Sequence, residues 1–189
     1  MRTIARRPKA RPKATARPKA TTRRASAGLL PRSGSEPTNY KYYQQDRSII
    51  RSNCMAFAFG EKGRTNYQKQ QPGNKTPSLK GTDFSLATCD ELVRRVLSDY
   101  RGSVYKGTPA RACRRGYAKV MAFLAPGADF HFYRQGPDGF WEHKRGLTPP
   151  SKLDARGKPI VNPLKADRDY GQGYKYNVGC STFCRRNDD

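Results

Sequence analysis

Three copies of one cationic, proline-bearing tetrapeptide crowd the start of the chain and leave no room for a packed fold there: Arg7-Pro8-Lys9-Ala10, Arg11-Pro12-Lys13-Ala14 and Arg17-Pro18-Lys19-Ala20. Proline fixes φ and removes an amide donor, and neighbouring cations repel one another, so the segment is expected to be a disordered, extended, polyproline-like coil. Eleven Lys or Arg and no acid lie between Met1 and Arg32; of the formal net charge of +23, that leaves +12 (23 − 11) for the other 157 residues. A coil of this kind can follow a phosphate backbone and release counterions, which gives sequence-independent, salt-sensitive binding. The expected partner is therefore a polyanion, foremost DNA or RNA, contacted through Arg6, Arg7, Lys9, Arg11, Lys13, Arg17, Lys19, Arg23 and Arg24. A membrane surface is less favoured, because the repeats carry no large apolar residue to insert beside the cations.

Composition then marks a boundary. Leu29 and Leu30 give way to Pro31, Ser33, Gly34, Ser35 and Pro37, a linker by residue type, and all eleven Tyr, all eight Phe and the one Trp follow it. The expected division is a basic arm and linker over residues 1–38 and one folded domain over 39–189. No run approaches the roughly 20 apolar residues of a membrane span, and the amino terminus lacks the apolar core of a secretory signal. Its Arg- and Ser/Thr-rich character is that of an organellar transit peptide, but Pro8, Pro12 and Pro18 break the helix such a peptide needs. Five cysteines without a secretory signal favour free thiols over a disulfide framework.

Within the domain, Ser52 or Asn53 is placed to cap a short helix over Cys54–Phe59 that Gly60 ends. A polar stretch from Glu61 to Gly81 reads as a long loop. Thr88-Cys89-Asp90-Glu91 has the form of a capping box, and Leu92, Val93, Val96, Leu97 and Tyr100 recur on one helical face. Lys119–Ala125 and Asp129–Gln135 read as strands separated by Pro126-Gly127, and Phe140–His143 as a strand returning after the Gly136–Gly139 turn. The class is α+β, with amino-terminal helices and an antiparallel sheet.

Both histidines, His131 and His143, fall on that hairpin. A cysteine in the first turn of a helix beside an imidazole has the parts of a thiolate nucleophile, which makes Cys54 and His131 candidates, with His143, Glu142 or Asp129 to orient the ring. Strand geometry leaves these three open. A two-residue turn puts His131 on the face of Glu142 and Lys144, and one further loop residue or a bulge brings His143 to that face instead. The plainer readings are that Cys54 is a core thiol, since its segment is apolar, and that His131 among Phe130, Phe132 and Tyr133 is a core or stacking histidine. Cys180 and Cys184, four apart on a strand and sharing a face, lack a second Cys or His pair for zinc. Gly171-Gln172-Gly173 lacks the rest of either nucleotide motif. No cofactor or metal is expected.

Asn53-Cys54-Met55-Ala56, then Asp129-Phe130-His131-Phe132-Tyr133-Arg134-Gln135, then Trp141-Glu142-His143-Lys144, with Asp154 to Asp167 beyond, resemble a poorly characterised group of bacterial and viral proteins. The order of a helix-borne Cys, a strand His and a polar residue on the next strand is similar to NlpC-type and other papain-like cysteine hydrolases. The resemblance spans about two thirds of the chain, from Asn53 to Cys184, and departs from the group's pattern at Glu142, Met55 and Phe57. It implies a small papain-like or NlpC-like domain with Cys54 as nucleophile, His131 as base and His143 orienting it, acting as a peptidase or amidase on a peptide substrate. With the arm, the expectation is a nucleic-acid-binding viral packaging protein, in a virion or host nucleus, carrying a hydrolase-like domain. The alternative is a non-enzymatic virion or chromatin-like protein with a degenerate enzyme fold, whose Tyr40-Lys41-Tyr42-Tyr43 and Tyr174-Lys175-Tyr176 would stack on single strands.

Overall fold

The structure, a computed structural model, describes residues 28–62, 70–80 and 88–188. The arm cations Arg6, Arg7, Lys9, Arg11, Lys13, Arg17, Lys19, Arg23 and Arg24 lie outside the described residues, as does part of the expected Glu61–Gly81 loop.

The described residues build an α+β fold around one antiparallel sheet of six strands. In chain order these are β1 (Val104–Gly107), β2 (Tyr117–Ala125), β3 (Asp129–Gln135), β4 (Trp141–Lys144), β5 (Pro150–Ser151) and β6 (Val178–Arg186), arranged β1-β6-β2-β3-β4-β5. All nine residues of β2 are buried, because it lies inside the sheet and is covered on both faces. Its even positions Val120, Ala122 and Leu124 join Phe130, Phe132 and Phe183 in one core. The odd positions Met121, Phe123 and Ala125 join Tyr133, Trp141, Ile160 and Tyr176 in a second.

Three short helices, α1 (Asp46–Arg51), α2 (Cys54–Ala58) and α3 (Cys89–Asp99), cover the first face. Thr88 accepts from the Glu91 amide at 3.3 Å, and Leu92, Val93 and Val96 are buried with Leu97 packed beside them, as the apolar spacing predicts. Asn53 caps α2 by accepting from the Ala56 amide at 3.1 Å, and Gly60, at φ 67°, takes the left-handed conformation that lets the chain leave the helix. The buried Lys144 ammonium donates to the carbonyls of Ile49, Ser52 and Gly146, tying the ends of α1 to β4. Between α2 and the sheet, Arg134 pairs with Glu142 at 3.1 Å and donates to Asn39 and to the Phe57 carbonyl.

Among the described residues the second face has no helix. Irregular chain from Lys152 to Asn177 lies over it, organised by Asp154, whose carboxylate accepts from the amides of Arg156, Lys158 and Asp167. The stretch read as a linker is also bound here. The carbonyls of Leu30 and Pro31 accept from Gln135 and Lys119, and the Ser33 hydroxyl donates to the Tyr117 carbonyl at 2.5 Å.

Cysteine chemistry departs from the expectation of free thiols. Cys89 is bonded to Cys180 and Cys113 to Cys184, leaving Cys54 as the one free thiol. Cys180 and Cys184 do not share a face either. The register slips between Ala122↔Ser181 and Phe123↔Gly179, so Cys180 is the extra residue of a β-bulge and turns toward α3. Cys184, opposite Lys119 in the regular ladder, faces the other way toward Cys113 and Tyr117. The two bonds close spans of 91 and 71 residues, and each is expected to contribute about 2–5 kcal/mol. Alkylation followed by mass spectrometry should add no label to the native protein, one in denaturant, and five after denaturation and reduction. Adding reductant should lower the melting temperature.

Candidate functional site

The Gly136 amide donates to the Phe140 carbonyl and Gln135 pairs with Trp141, so Pro137, Asp138 and Gly139 form a three-residue hairpin loop. Gly139 supplies the positive φ of 89° that such a loop needs. Compared with a two-residue turn, that extra residue shifts the returning strand by one. His143, rather than Glu142 or Lys144, therefore shares the face of His131 and stands opposite Tyr133. Of the three candidates to orient His131, the geometry brings His143 into contact: its Nδ1 lies 2.8 Å from His131 Nε2. Glu142 points to the opposite face, toward Arg134. Asp129 accepts from the Phe130 amide and the Tyr176 hydroxyl.

The tautomers follow from the partners. His143 Nε2 lies 2.9 Å from the Leu153 carbonyl, which can only accept, so that nitrogen carries the proton and Nδ1 of the neutral ring accepts from His131 Nε2–H. Nδ1 of His131 is then that ring's acceptor. Both rings are almost fully buried, at 2% and 1% exposure, among Tyr133, Tyr170 and Tyr176. Burial, with His143 and Arg145 adding to it, pushes His131 well below the ordinary imidazole range. Burial also takes His143 down to about 4, against the Leu153 carbonyl, which favours the charged form.

Cys54 begins α2 on the first face, and its thiol lies 3.8 Å from the Phe130 carbonyl. His131 stands opposite Phe123 and leaves β3 on the second face. The two residues nonetheless border one cavity, together with Asn53, Asp129 and Phe130. Burial and the Asp129 carboxylate push the Cys54 thiol up to about 12. Near neutral pH the thiol and the imidazole are thus both uncharged, whereas a nucleophilic pair needs a thiolate.

The cavity holds about 390 Å³ and is walled by Asp129, His131, Arg145, Tyr170, Gln172, Tyr174 and Tyr176 as well as Asn53 and Cys54. A second hollow of about 420 Å³ continues it past Arg145, Thr148 and Tyr170 toward His143, Ser151 and Asp154. Arg145 lies over the Tyr170 ring at 4.8 Å, between the two. The aromatic wall comes from irregular chain, so no periodicity points to it. The usable signal is local: tyrosines at 170, 174 and 176 flank Gly171-Gln172-Gly173, a pair of glycines that permits a sharp turn.

An 82-residue stretch is 38% identical to insoluble matrix shell protein 1 of the clam Ruditapes philippinarum, covering 40% of this chain and 55% of that protein. The chain thus spans about half the length of the curated relative it matches. No family model and no solved structure matches.

These findings correct the expectation of a bacterial or viral, NlpC-like protein that packages nucleic acid. The similarity is to a clam shell matrix protein and to no bacterial or viral protein of the hydrolase kind. The expected virion or nuclear location falls with that similarity, and two disulfides also speak against a nuclear one, because they are rare in reducing compartments.

The buried histidines make stability depend on acid. A histidine whose folded pKa lies below its unfolded value binds fewer protons when folded, so its stabilisation is complete above about pH 6.5 and is lost as pH falls toward 4. For His143 alone the full loss is about 3 kcal/mol. The melting temperature should fall across that window, and the fall should shrink in a His131→Phe, His143→Phe double variant.

Proposed function

We propose that this protein is a secreted component of an extracellular matrix of the shell-matrix kind, in which it acts by binding and persistence rather than by catalysis. The observation that carries this reading is the 38% identity over 82 residues to a shell matrix protein. The disulfides support it, because such bonds form and last outside the reducing cytosol. So does the site, whose thiol and imidazoles are neutral and buried near pH 7.

In that setting the eleven cations of the first 32 residues meet acidic matrix polymers, such as sulfated polysaccharides or carboxylate-rich proteins. Attraction between a cationic segment and a polyanion is independent of the polymer's sequence and weakens as salt screens it.

Antibody staining and chemical extraction of the source tissue test the proposal. The protein should lie in the extracellular matrix, resist extraction until the disulfides are reduced and the salt is raised, and carry one free thiol when trapped in denaturant. An intracellular protein with five free thiols would overturn the reading.

A further inference from the structure

The two hollows flanking Arg145 and Tyr170 form one groove, and its chemistry differs from that of the chain that contains it. The whole protein carries +23. Among the described residues the groove carries one permanent cation, Arg145, against the carboxylates of Asp129 and Asp154, and its histidines are neutral. It offers no excess of positive charge to an anionic polymer. It does offer aromatic surface beside amide, hydroxyl and carboxylate groups. The lining tyrosines are Tyr170, Tyr174 and Tyr176, with Gln71, Gln172 and Thr148 among the polar residues.

The segment carrying this surface is unusual in its backbone. Gly171, Gln172 and Gly173 have φ of 73°, 53° and 82°, and Gln172 is the one non-glycine residue with positive φ among the described residues. A side chain held in the left-handed region costs about 1 kcal/mol or more, which a glycine there would avoid. The turn sets Gln172 between Tyr170 and Tyr174 at the cavity wall. Tyr174 remains 43% exposed, with its ring nearly parallel to that of Tyr176 at 6.5 Å between centroids. An exposed aromatic platform beside an amide is poorly suited to a purely apolar ligand, which would strand the polar groups.

We propose that this groove binds a neutral glycan chain, with a sugar ring lying on Tyr174 and hydroxyls hydrogen-bonding to Gln172, Thr148 and Arg145. Pyranose rings present apolar C–H faces and a rim of hydroxyls, the combination this wall complements, and a linear oligosaccharide can run from one hollow into the next. The proposal rests on the matrix reading for where such a polymer would be met, and on the groove for its chemistry. A neutral scaffold polysaccharide would then be held by the groove while acidic polymers are held by the cationic segment.

Calorimetric titration of the full-length, oxidised protein with N-acetylchitopentaose, cellopentaose and maltopentaose tests it. At least one should bind saturably, with an affinity insensitive to salt. Tyr174→Ala should weaken binding about tenfold by removing an aromatic contact. Gln172→Gly should also weaken it while leaving the melting temperature equal or higher, which separates loss of the ligand contact from loss of fold. Binding by none of the three up to millimolar concentration, or binding indifferent to both substitutions, would overturn the proposal. An extended, uncharged peptide that fills the groove and excludes the glycans would overturn it as well. None of these results bears on whether the protein is extracellular, which the tissue location decides separately.

Discussion

A strand buried along its whole length on both faces requires cover on both sides, and β2 imposes that requirement on this fold. Its alternating residues feed two cores, and the described residues supply regular helices for only one of them. The other is closed by irregular segments: Leu29 to Pro37, and Lys152 to Asn177. Irregular chain must satisfy its own amides, so this layer is rich in carboxylate-centred turns such as that at Asp154, and in backbone bonds to the sheet such as Trp141 N–H to the Ile160 carbonyl. The groove is where this cover stops short of the end of the sheet.

Regular periodicity was readable before the structure, and cross-chain constraints were not. The Thr88 cap and apolar face of α3, the Asn53 cap of α2, and the two long strands of the hairpin each rest on local chemistry, although the Glu91 carboxylate expected to complete a capping box pairs with Arg94 and Arg95 instead. The disulfides do not. Cys180 and Cys184 lie four apart, so their sharing a face followed from strand geometry, and only the bulge at Cys180 sends them to opposite faces and different partners. The four-residue strand β1 carries too short a pattern to stand out. Proline- and serine-rich composition at 31–37 reads as a linker, yet those residues are bound because Lys119 and Gln135 need carbonyl acceptors at the sheet.

The site shows the same division. That His131 and His143 come together depends on a one-residue difference in loop length, an alternative the sequence left open and Pro137-Asp138-Gly139 decides. The relation of Cys54 to His131 depends on which face of β3 each residue occupies. The ladder sets His131 opposite Phe123, while the thiol packs with Phe130 and Phe132. A motif of Cys, His and a second polar residue specifies order along the chain and nothing about face. The protonation states add to the difference. Burial acts on an isolated thiol by raising its pKa and on an imidazole by lowering it, so enclosing the pair drives both toward neutrality unless a charge is provided to oppose this. Asp129 has the wrong sign to do so, since a carboxylate beside the thiol further disfavours the thiolate.

The two binding proposals rest on an uneven distribution of charge. Eleven cations without an acid in the first 32 residues make that segment responsive to any polyanion, with a strength that salt controls. The groove, among the described residues, balances its few charges, so the binding proposed for it would depend on shape, aromatic surface and hydrogen bonds, which salt hardly affects. Had the groove been as basic as the rest, acidic polymers would compete for it and its aromatic wall would select nothing. On the proposed reading, a near-neutral groove in a protein of +23 would work as a filter: charge would set what the amino-terminal segment collects, and the lack of excess charge what the groove selects.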